Sequence, residues 1–275
     1  MSLSARILED KKVILEESIR KRKSVLVAYS GGVDSALLAA IAGNVLGDRA
    51  SCVLLVSPVV SRGAVDEAEK IAREIGIRCE LVPIPLLSCE EFVRNPEDRC
   101  YHCRKVSSKV LRDCAIRKGL ASVVDGLNVS DYRQYRPGIR ASDEEGIGHP
   151  FVEAGISKDE IREIAKESGY SFWDKPSDAC LSSRIPYGDE ITPERLVLIQ
   201  EAEDFLKSMG FRQVRVRLHG GRLARIEIDP ALMGRAIAAR EEITGEFRRI
   251  GLIFVTLDLE GFRSGSMDEA REKAP

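Results

Sequence analysis

The sequence has no long apolar run and no strong excess of charge of either sign. None of its hydrophobic stretches approaches the roughly 18 residues that a membrane-spanning helix needs. The formal net charge is -2 over 275 residues, which argues against a protein held to a polyanion mainly by electrostatic attraction. The first residues lead into the charged segment 9–12 without the apolar core of a signal peptide. We therefore expect a cytoplasmic protein without a membrane segment, for which nucleic acid is not the favoured partner.

Two common phosphate-binding motifs, GxxxxGK[ST] and GxGxxG, are also missing around the most distinctive segment. That segment lies between an apolar run at 25–29 and an alanine-rich run at 36–42, and it reads Ser30-Gly31-Gly32-Val33-Asp34-Ser35. The pattern predicts a buried strand, a tight turn and a helix. Glycine allows a ligand to approach the backbone closely, and the N–H groups of a helix N-terminus favour an anion. The alternative is an ordinary strand-to-helix turn with two glycines.

Asp34 is unusual in a site for anions alone, but a carboxylate is a natural ligand for a Mg2+ ion that accompanies phosphates. Ser30 and Ser35 add hydroxyl donors to the same segment. We interpret the six residues as a phosphate-binding loop that can also hold a metal ion.

Predicted strands and helices alternate over residues 1–188, which favours an α/β fold with a doubly wound parallel sheet. Its ligand would lie at the carboxyl ends of the strands. The predicted strands span 25–29, 51–57, 78–83 and 121–125, and the predicted helices after the loop span 62–75, 106–118 and 157–168. An amphipathic N-terminal helix over 3–23 would bury Leu8, Ile14, Leu15 and Ile19. We expect a surface loop at 131–138 and an irregular segment at 175–188.

Residues 189–275 form a smaller C-terminal α+β domain in this interpretation, with the boundary near Gly188-Asp189. Helices are predicted at 192–209 and 230–243 and strands at 213–219, 223–229 and 252–259. The pair Gly220-Gly221 is suited to a hairpin turn between the first two strands. The tail from Met267 onward is expected to fray.

Seven cysteines in a reducing compartment point to metal or catalytic roles before disulfides. Cys100 and Cys103 form a CxxC pair that we place in a loop just before a helix, and Cys180 lies in the irregular segment. Three thiolates can hold a 4Fe-4S cluster and leave one iron open to an extra sulfide. Zinc is the competing metal, but a structural zinc needs four ligands, and His102 is poorly placed inside the CxxC pair. Ordinary buried thiols are the alternative, and we adopt it for Cys52, Cys79, Cys89 and Cys114.

Arg215 and Arg217 lie two residues apart in a predicted strand and therefore share one of its faces. They could clamp a phosphate group bidentately. A solvated strand face explains the same pattern equally well.

The six-residue loop resembles the PP-loop of the ATP pyrophosphatase superfamily, whose members cleave ATP between its α- and β-phosphates. Four further segments make the chain resemble one family within it, the LarE sulfur transferases, over nearly the whole length. They are 125–128 followed by 135–138, the segment 175–188 around Cys180, the strand 214–219, and the ending 261–267. The Lys-Pro-Ser-x-Ala-Cys-Leu part of the second segment is the most specific.

The resemblance implies that ATP with Mg2+ adenylates a carboxylate of pyridinium-3,5-biscarboxylic acid mononucleotide, and that sulfur then displaces AMP to give a thiocarboxylate for the nickel-pincer nucleotide of lactate racemase. It also implies a homo-oligomer, and it leaves the ultimate sulfide donor unknown. The residues it assigns to catalysis are Cys180 and Asp34; to the nucleotide, Ser30, Gly31, Gly32, Asp34, Ser35, Asp125, Gly126 and Arg184; to the substrate, Glu203, Arg215 and Arg217; and to a metal, Cys100, Cys103 and Cys180.

The family has two sulfur sources. In one, the cysteine matching Cys180 gives up its own sulfur and becomes dehydroalanine; in the other, three cysteines hold a 4Fe-4S cluster that carries a sulfide. Because the first type needs no CxxC pair, the presence of Cys100 and Cys103 favours the cluster.

Three other functions compete with this interpretation. A tRNA thiolase also combines a CxxC pair with a distant cysteine, and it would bind bulk tRNA in a steeply salt-dependent manner. An ATP-dependent amide synthetase would keep its activity without Cys180. A nucleotide sensor would bind ATP without releasing pyrophosphate.

Overall fold

The computed structural model describes residues 3–133, 136–176, 178–263 and 266–267. The helices are α1 (Leu3–Lys21), α2 (Val33–Leu46), α3 (Arg62–Ile75), α4 (Glu90–Val93), α5 (Arg99–Arg117), α6 (Pro137–Glu144), α7 (Pro150–Glu153), α8 (Lys158–Glu167), α9 (Pro193–Ser208), α10 (Met233–Ala238) and α11 (Arg240–Arg249). The strands are β1 (Val25–Tyr29), β2 (Ala50–Val56), β3 (Cys79–Pro83), β4 (Ser122–Val124), β5 (Val214–His219), β6 (Leu223–Ile228) and β7 (Phe254–Leu257). Several predicted features lie outside the described residues: Tyr135, Ser177, Ser264, Gly265 and the tail after Met267.

The chain divides into two compact units. The first contains Met1–Cys89 and Asp98–Asp178, and the second contains Glu90–Glu97 and Ala179–Pro275. The predicted boundary near Gly188 lies inside the second unit. Asn95 explains why 90–97 belongs there, because its side-chain amide donates to the carbonyl oxygens of Ile185, Pro186 and Asp189 at 3.3, 2.7 and 3.0 Å.

The first unit is built on a four-stranded sheet with the order β3-β2-β1-β4, and all its paired strands are parallel. Alternate residues of β1 point to opposite faces. Val25 and Val27 pack into a core with residues of α1, α2 and α8, whereas Leu26 packs into a second core with residues of α5. Helices on both faces of a parallel sheet confirm the predicted doubly wound α/β fold.

The order of the strands reverses at β1. The chain goes from β1 to β2 on one side and later adds β4 on the other side. Such a reversal opens a crevice outside the carboxyl ends of the two strands, where ligands of these folds bind. Here β1 leads into the loop 30–35 and β4 leads into Asp125.

Local sequence patterns predicted the positions of most helices and strands of this unit correctly. Helix α3 has the predicted bounds and ends at Gly76 in the left-handed conformation. Helix α8 begins with the predicted capping box, in which Ser157 and Glu160 bond to each other's backbone N–H. Ile14 is a wrong prediction, because it is 48% exposed on α1 while Leu15 and Ile19 are buried.

The predicted surface loop at 131–138 is also partly wrong. Asp131–Arg133 form a short 3-10 turn, and Pro137 begins helix α6. Proline suits the first turn of a helix because its missing N–H would be unpaired there in any case.

The second unit contains a three-stranded sheet with the order β5-β6-β7. Strands β5 and β6 form the predicted antiparallel hairpin around Gly220 and Gly221, and β7 pairs with β6 in parallel. This small mixed sheet with its helices confirms the smaller C-terminal α+β domain. The continuous helix predicted over 230–243 is wrong, since the segment divides into a 3-10 turn at Pro230–Leu232, α10 and the start of α11. In the described part of the chain, no helix is both long and apolar enough to cross a membrane.

Candidate active site

The loop after β1 has the tight geometry that its two glycines predict. Gly31 has a φ of +71°, and a Cβ atom added there would lie 2.5 Å from the Cβ of Ala68. The Ser35 hydroxyl donates to the Gly32 carbonyl oxygen at 3.1 Å and accepts from the Ser30 N–H at 3.1 Å. Gly32 occupies the N-cap of α2 and offers no side-chain acceptor. The N–H groups of the first helical turn are therefore left for an anion.

Asp34 brings a half-buried carboxylate to this loop. Its Oδ1 atom is buried and has no hydrogen-bond partner among the described residues, and its Oδ2 atom accepts only a long bond of 3.5 Å from the Asn128 amide. Burial raises the pKa of the Asp34 carboxyl, a shift that the positive charge of Lys158 opposes. An unpartnered buried oxygen is the donor that Mg2+ prefers, so the residues present fit the predicted metal ion.

The segment after β4 packs directly on the loop. A Cβ atom at Gly126 would lie 2.9 Å from the carbonyl carbon of Asp34 and 2.9 Å from the Ser35 nitrogen, so glycine is required for this close approach. The structure thus brings Gly126 together with the predicted nucleotide-binding residues Ser30, Gly31, Gly32, Asp34 and Ser35.

Asp125 has a different surrounding from its neighbour Gly126. Its carboxylate is buried, pairs with Arg104, contacts His149 Nδ1 at 2.7 Å and accepts from the Leu127 N–H at 3.1 Å. Burial acts to raise the pKa of Asp125, but the charges of Arg104 and His149 outweigh it and lower that pKa. Asp125 therefore fixes the segment that packs on the loop. Its direct contact with a nucleotide stays a prediction.

Arg104 and His149 were not predicted. Arg104 follows the CxxC pair by one residue, and His149 follows Gly148, which forms a bridge with Val124. The second ring nitrogen of His149 lies 3.1 Å from an Asp143 oxygen. No local motif marks these residues, because the two partners of Asp125 lie 21 and 24 positions away in the sequence.

Lys175 is a further unpredicted side chain at the loop. Its ammonium donates to the Gly31 carbonyl oxygen at 3.0 Å and pairs with Glu67 at 2.8 Å. The sequence signal was its place in the Lys-Pro-Ser segment.

The CxxC pair lies on a helix, which corrects the predicted loop. Helix α5 begins at Arg99 instead of Val106, because nothing between Pro96 and Val106 breaks a helix. Cys100 is exposed and Cys103 is partly exposed, and a spacing of three places both on one side of the helix. Among the residues that the structure describes, no group of three or more His, Cys, Asp and Glu side chains is arranged to hold a metal ion.

Cys180 belongs to the second unit and is exposed, with its sulfur 2.9 Å from the Ser182 hydroxyl. It directly precedes a 3-10 turn at Leu181–Arg184. Arg184 holds this segment, because one of its nitrogens donates to the carbonyl oxygens of Ala179 and Cys180 at 2.6 and 3.2 Å. The Arg184 guanidinium also bonds to both Glu203 oxygens, at 2.8 and 3.2 Å.

The predicted substrate residues Arg215 and Arg217 of β5 belong, with Arg184, Glu203 and Glu227, to a group of charged residues that we call the arginine cluster. Arg217 is 2% exposed, bonds to Glu227 at 2.9 Å and donates to the Ser183 carbonyl oxygen at 2.8 Å. Arg215 is also buried, lies over the Phe262 ring and donates to the Arg263 carbonyl oxygen at 3.3 Å. The interpretation of a solvated strand face is therefore wrong. Glu227, the main ionic partner of Arg217, was missed because only the β5–β6 register brings it close.

Comparison with known proteins identifies relatives of this chain. The profile of the NAD synthase family matches residues 7–100, which include the loop. A protein of Synechocystis sp. that is described as uncharacterised is 40% identical over 269 residues, which cover 97% of this chain and all of the relative. Pyridinium-3,5-bisthiocarboxylic acid mononucleotide synthase of Lactiplantibacillus plantarum is 35% identical over 268 residues, 97% of each chain.

An uncharacterised protein of Methanocaldococcus jannaschii is a third relative, 33% identical over 89% of this chain and 92% of its own length. Identity at this level over nearly complete chains confirms the resemblance drawn from the motifs. The chain belongs to the LarE family of ATP-dependent, PP-loop enzymes.

Proposed function

We propose that the protein is an ATP-dependent sulfurtransferase that converts a carboxylate of pyridinium-3,5-biscarboxylic acid mononucleotide to a thiocarboxylate. The observation that carries this proposal is the loop at the strand-order reversal, where an unpartnered buried Asp34 oxygen lies at an uncapped helix N-terminus. The L. plantarum relative is named for the bisthiocarboxylic acid product.

In the first step, a carboxylate oxygen of the substrate attacks the α-phosphorus of ATP, the bond to the bridging oxygen breaks, and pyrophosphate leaves. The N–H groups of the first turn of α2 bind the phosphates. Gly31 and Gly126 allow the loop to pack closely against Ala68 and against the segment after β4. Asp34 would hold Mg2+, which supplies positive charge to the phosphates when bound.

In the second step, a sulfur nucleophile attacks the activated carbonyl carbon and AMP leaves with the bonding electrons. We assign delivery of the sulfur to Cys180, whose thiol is exposed and whose backbone is held by Arg184. Cys100, Cys103 and Cys180 would hold a 4Fe-4S cluster, which supplies an iron open to sulfide. The presence of Cys100 and Cys103, which sacrifice of the Cys180 sulfur would not need, favours this source.

We assign Glu203, Arg215 and Arg217 to the substrate, with the two arginines on its phosphate. Glu203 accepts from the Val216 N–H at 3.0 Å and pairs with Arg184, and a contact of Arg184 with the nucleotide stays a prediction. Burial lowers the pKa of both strand arginines, yet it leaves them cationic at neutral pH. A homo-oligomeric, cytoplasmic enzyme is part of the same proposal.

Anaerobic purification followed by absorption spectroscopy and iron and sulfide analysis tests the sulfur source. A brown protein with about four irons per chain, lost in Cys100→Ala, Cys103→Ala and Cys180→Ala but kept in the control Cys89→Ala, would support the cluster. A colourless protein with dehydroalanine at Cys180 after turnover would instead establish the sacrificial source. Thiocarboxylate formation by Cys180→Ala would contradict both.

A further inference from the structure

The ammonium group of Lys175 touches the backbone of the nucleotide-binding loop. Its two contacts are the Gly31 carbonyl oxygen at 3.0 Å and Glu67 at 2.8 Å. The Lys175 side chain is 14% exposed, whereas the side chain of Glu67 is 53% exposed. The cation is thus largely withdrawn from solvent, while its ionic partner can turn away into water.

The backbone around Lys175 is fixed by Arg162. One guanidinium nitrogen donates to the Trp173 carbonyl oxygen at 2.9 Å, and another donates to the Lys175 carbonyl oxygen at 2.7 Å. Arg162 extends from α8, which packs in the core of the same unit. The lysine is therefore held at the loop by a rigid part of the fold, and its ammonium has three donors of which these contacts use two.

We propose that Lys175 is a catalytic residue that binds the β- and γ-phosphates of ATP and stabilises the pyrophosphate leaving group. The proposal rests on the adenylation reaction described above. When the bond between the α-phosphorus and the bridging oxygen breaks, the electron pair goes to that oxygen, and negative charge grows on pyrophosphate. A fixed cation beside the loop lowers the energy of this charge without a proton transfer.

The contacts also indicate how the lysine changes partners. Glu67 neutralises the ammonium in the nucleotide-free protein and is replaced by phosphate oxygens when ATP binds. The Gly31 contact can persist because it uses a separate N–H donor. Glu67 therefore contributes little to the reaction itself.

The test compares Lys175→Met and Lys175→Gln with Lys166→Met and Glu67→Gln. Lys166 is a matched control, because its ammonium lies over the Trp173 ring, 4.6 Å from its centroid, in the same region. The rate of pyrophosphate release is measured in a single turnover, and binding of inorganic pyrophosphate with Mg2+ to the nucleotide-free protein is measured by calorimetry. Thermal unfolding checks the fold of each variant, and Lys175→Gln keeps a donor for the Gly31 carbonyl if Lys175→Met is unstable.

We expect both Lys175 variants to release pyrophosphate about 10²-fold more slowly and to bind it more weakly. Lys166→Met should behave like the wild type, and Glu67→Gln should bind pyrophosphate at least as tightly as the wild type, because it removes the carboxylate that competes for the ammonium. Wild-type pyrophosphate release and binding in the Lys175 variants would overturn the proposal, as would an equal loss in Glu67→Gln. If the wild type releases no pyrophosphate from ATP, the adenylation proposal fails. The calorimetric comparison still decides whether Lys175 binds pyrophosphate.

Discussion

The PP-loop of the first unit contains a buried polar atom without a partner in the described part of the chain, whereas the arginine cluster of the second unit pairs its buried charges. At the loop, the Oδ1 atom of the Asp34 carboxylate is buried and has no partner among the described residues. In the cluster, Arg184 and Arg217 are buried against Glu203 and Glu227, respectively. Unpaired buried charge costs stability and is kept where a ligand will pair with it, whereas paired charge holds a segment in place.

This difference suggests distinct roles for the two regions. The loop is prepared for the phosphates of ATP and a metal ion. The arginine cluster fixes the backbone around Cys180, since Arg184 bonds to the Cys180 carbonyl oxygen and Arg217 bonds to the Ser183 carbonyl oxygen.

Breaking an ion pair of the arginine cluster should have the largest effect on stability. Glu203→Ala leaves Arg184 buried without its carboxylate, and we expect a loss of about 3–5 kcal/mol of unfolding free energy. Glu201→Ala, at an exposed position on the same helix, should change that free energy by less than about 0.5 kcal/mol. Urea unfolding measures both. Similar values for the two variants would mean that the Arg184–Glu203 pair does not hold this unit together.

The loop should respond in the opposite direction. Because burial raises the pKa of Asp34, its charged form destabilises the nucleotide-free protein above the ordinary carboxyl pKa of about 4. Asp34→Asn should therefore leave the unfolding free energy at pH 7 unchanged or higher, while pyrophosphate release falls by at least about 10²-fold. A variant that loses stability but keeps its activity would refute the distinction between the two regions.

The ion pairs of His149 should give the smallest effect. Burial acts to lower the pKa of His149, but its bonds with Asp125 and Asp143 outweigh burial and raise it. The stabilisation is therefore complete below the unfolded pKa of about 6.5 and is lost as the pH rises through the higher folded value. The difference in unfolding free energy between wild type and His149→Gln should be about 1 kcal/mol at pH 6 and smaller at pH 9. A difference that does not change with pH would show that the histidine acts only through packing.

The sequence predicted those parts of the molecule that depend on residues close together in the chain. Glycines, an apolar run and a capping box identify the loop after β1 and the start of α8. The burial of Arg217 could not be found in this way, because it depends on Glu227 across a hairpin and on Ser183 in a distant segment. The alternation of polar and apolar residues in β5 suggested solvent on one face, but ion pairs allow both faces to be buried.

The CxxC pair shows a second limit. Its cysteines were identified, but the helix that carries them starts earlier than predicted, since Arg99 to Lys105 contain no strong helix-breaking residue. The contact of Arg104 with Asp125 then connects this helix to the segment that packs on the loop. Such a connection follows from the sheet topology and has no signature in the local sequence.

Analysis of the products formed from ATP tests the central claim most directly. Wild type and Asp34→Asn are incubated with ATP, Mg2+, sulfide and pyridinium-3,5-biscarboxylic acid mononucleotide, and the phosphorus-containing products are identified by 31P NMR. We predict equal amounts of AMP and pyrophosphate from the wild type and neither from Asp34→Asn. Formation of ADP and inorganic phosphate by the wild type would contradict cleavage between the α- and β-phosphates and, with it, the role assigned to the loop.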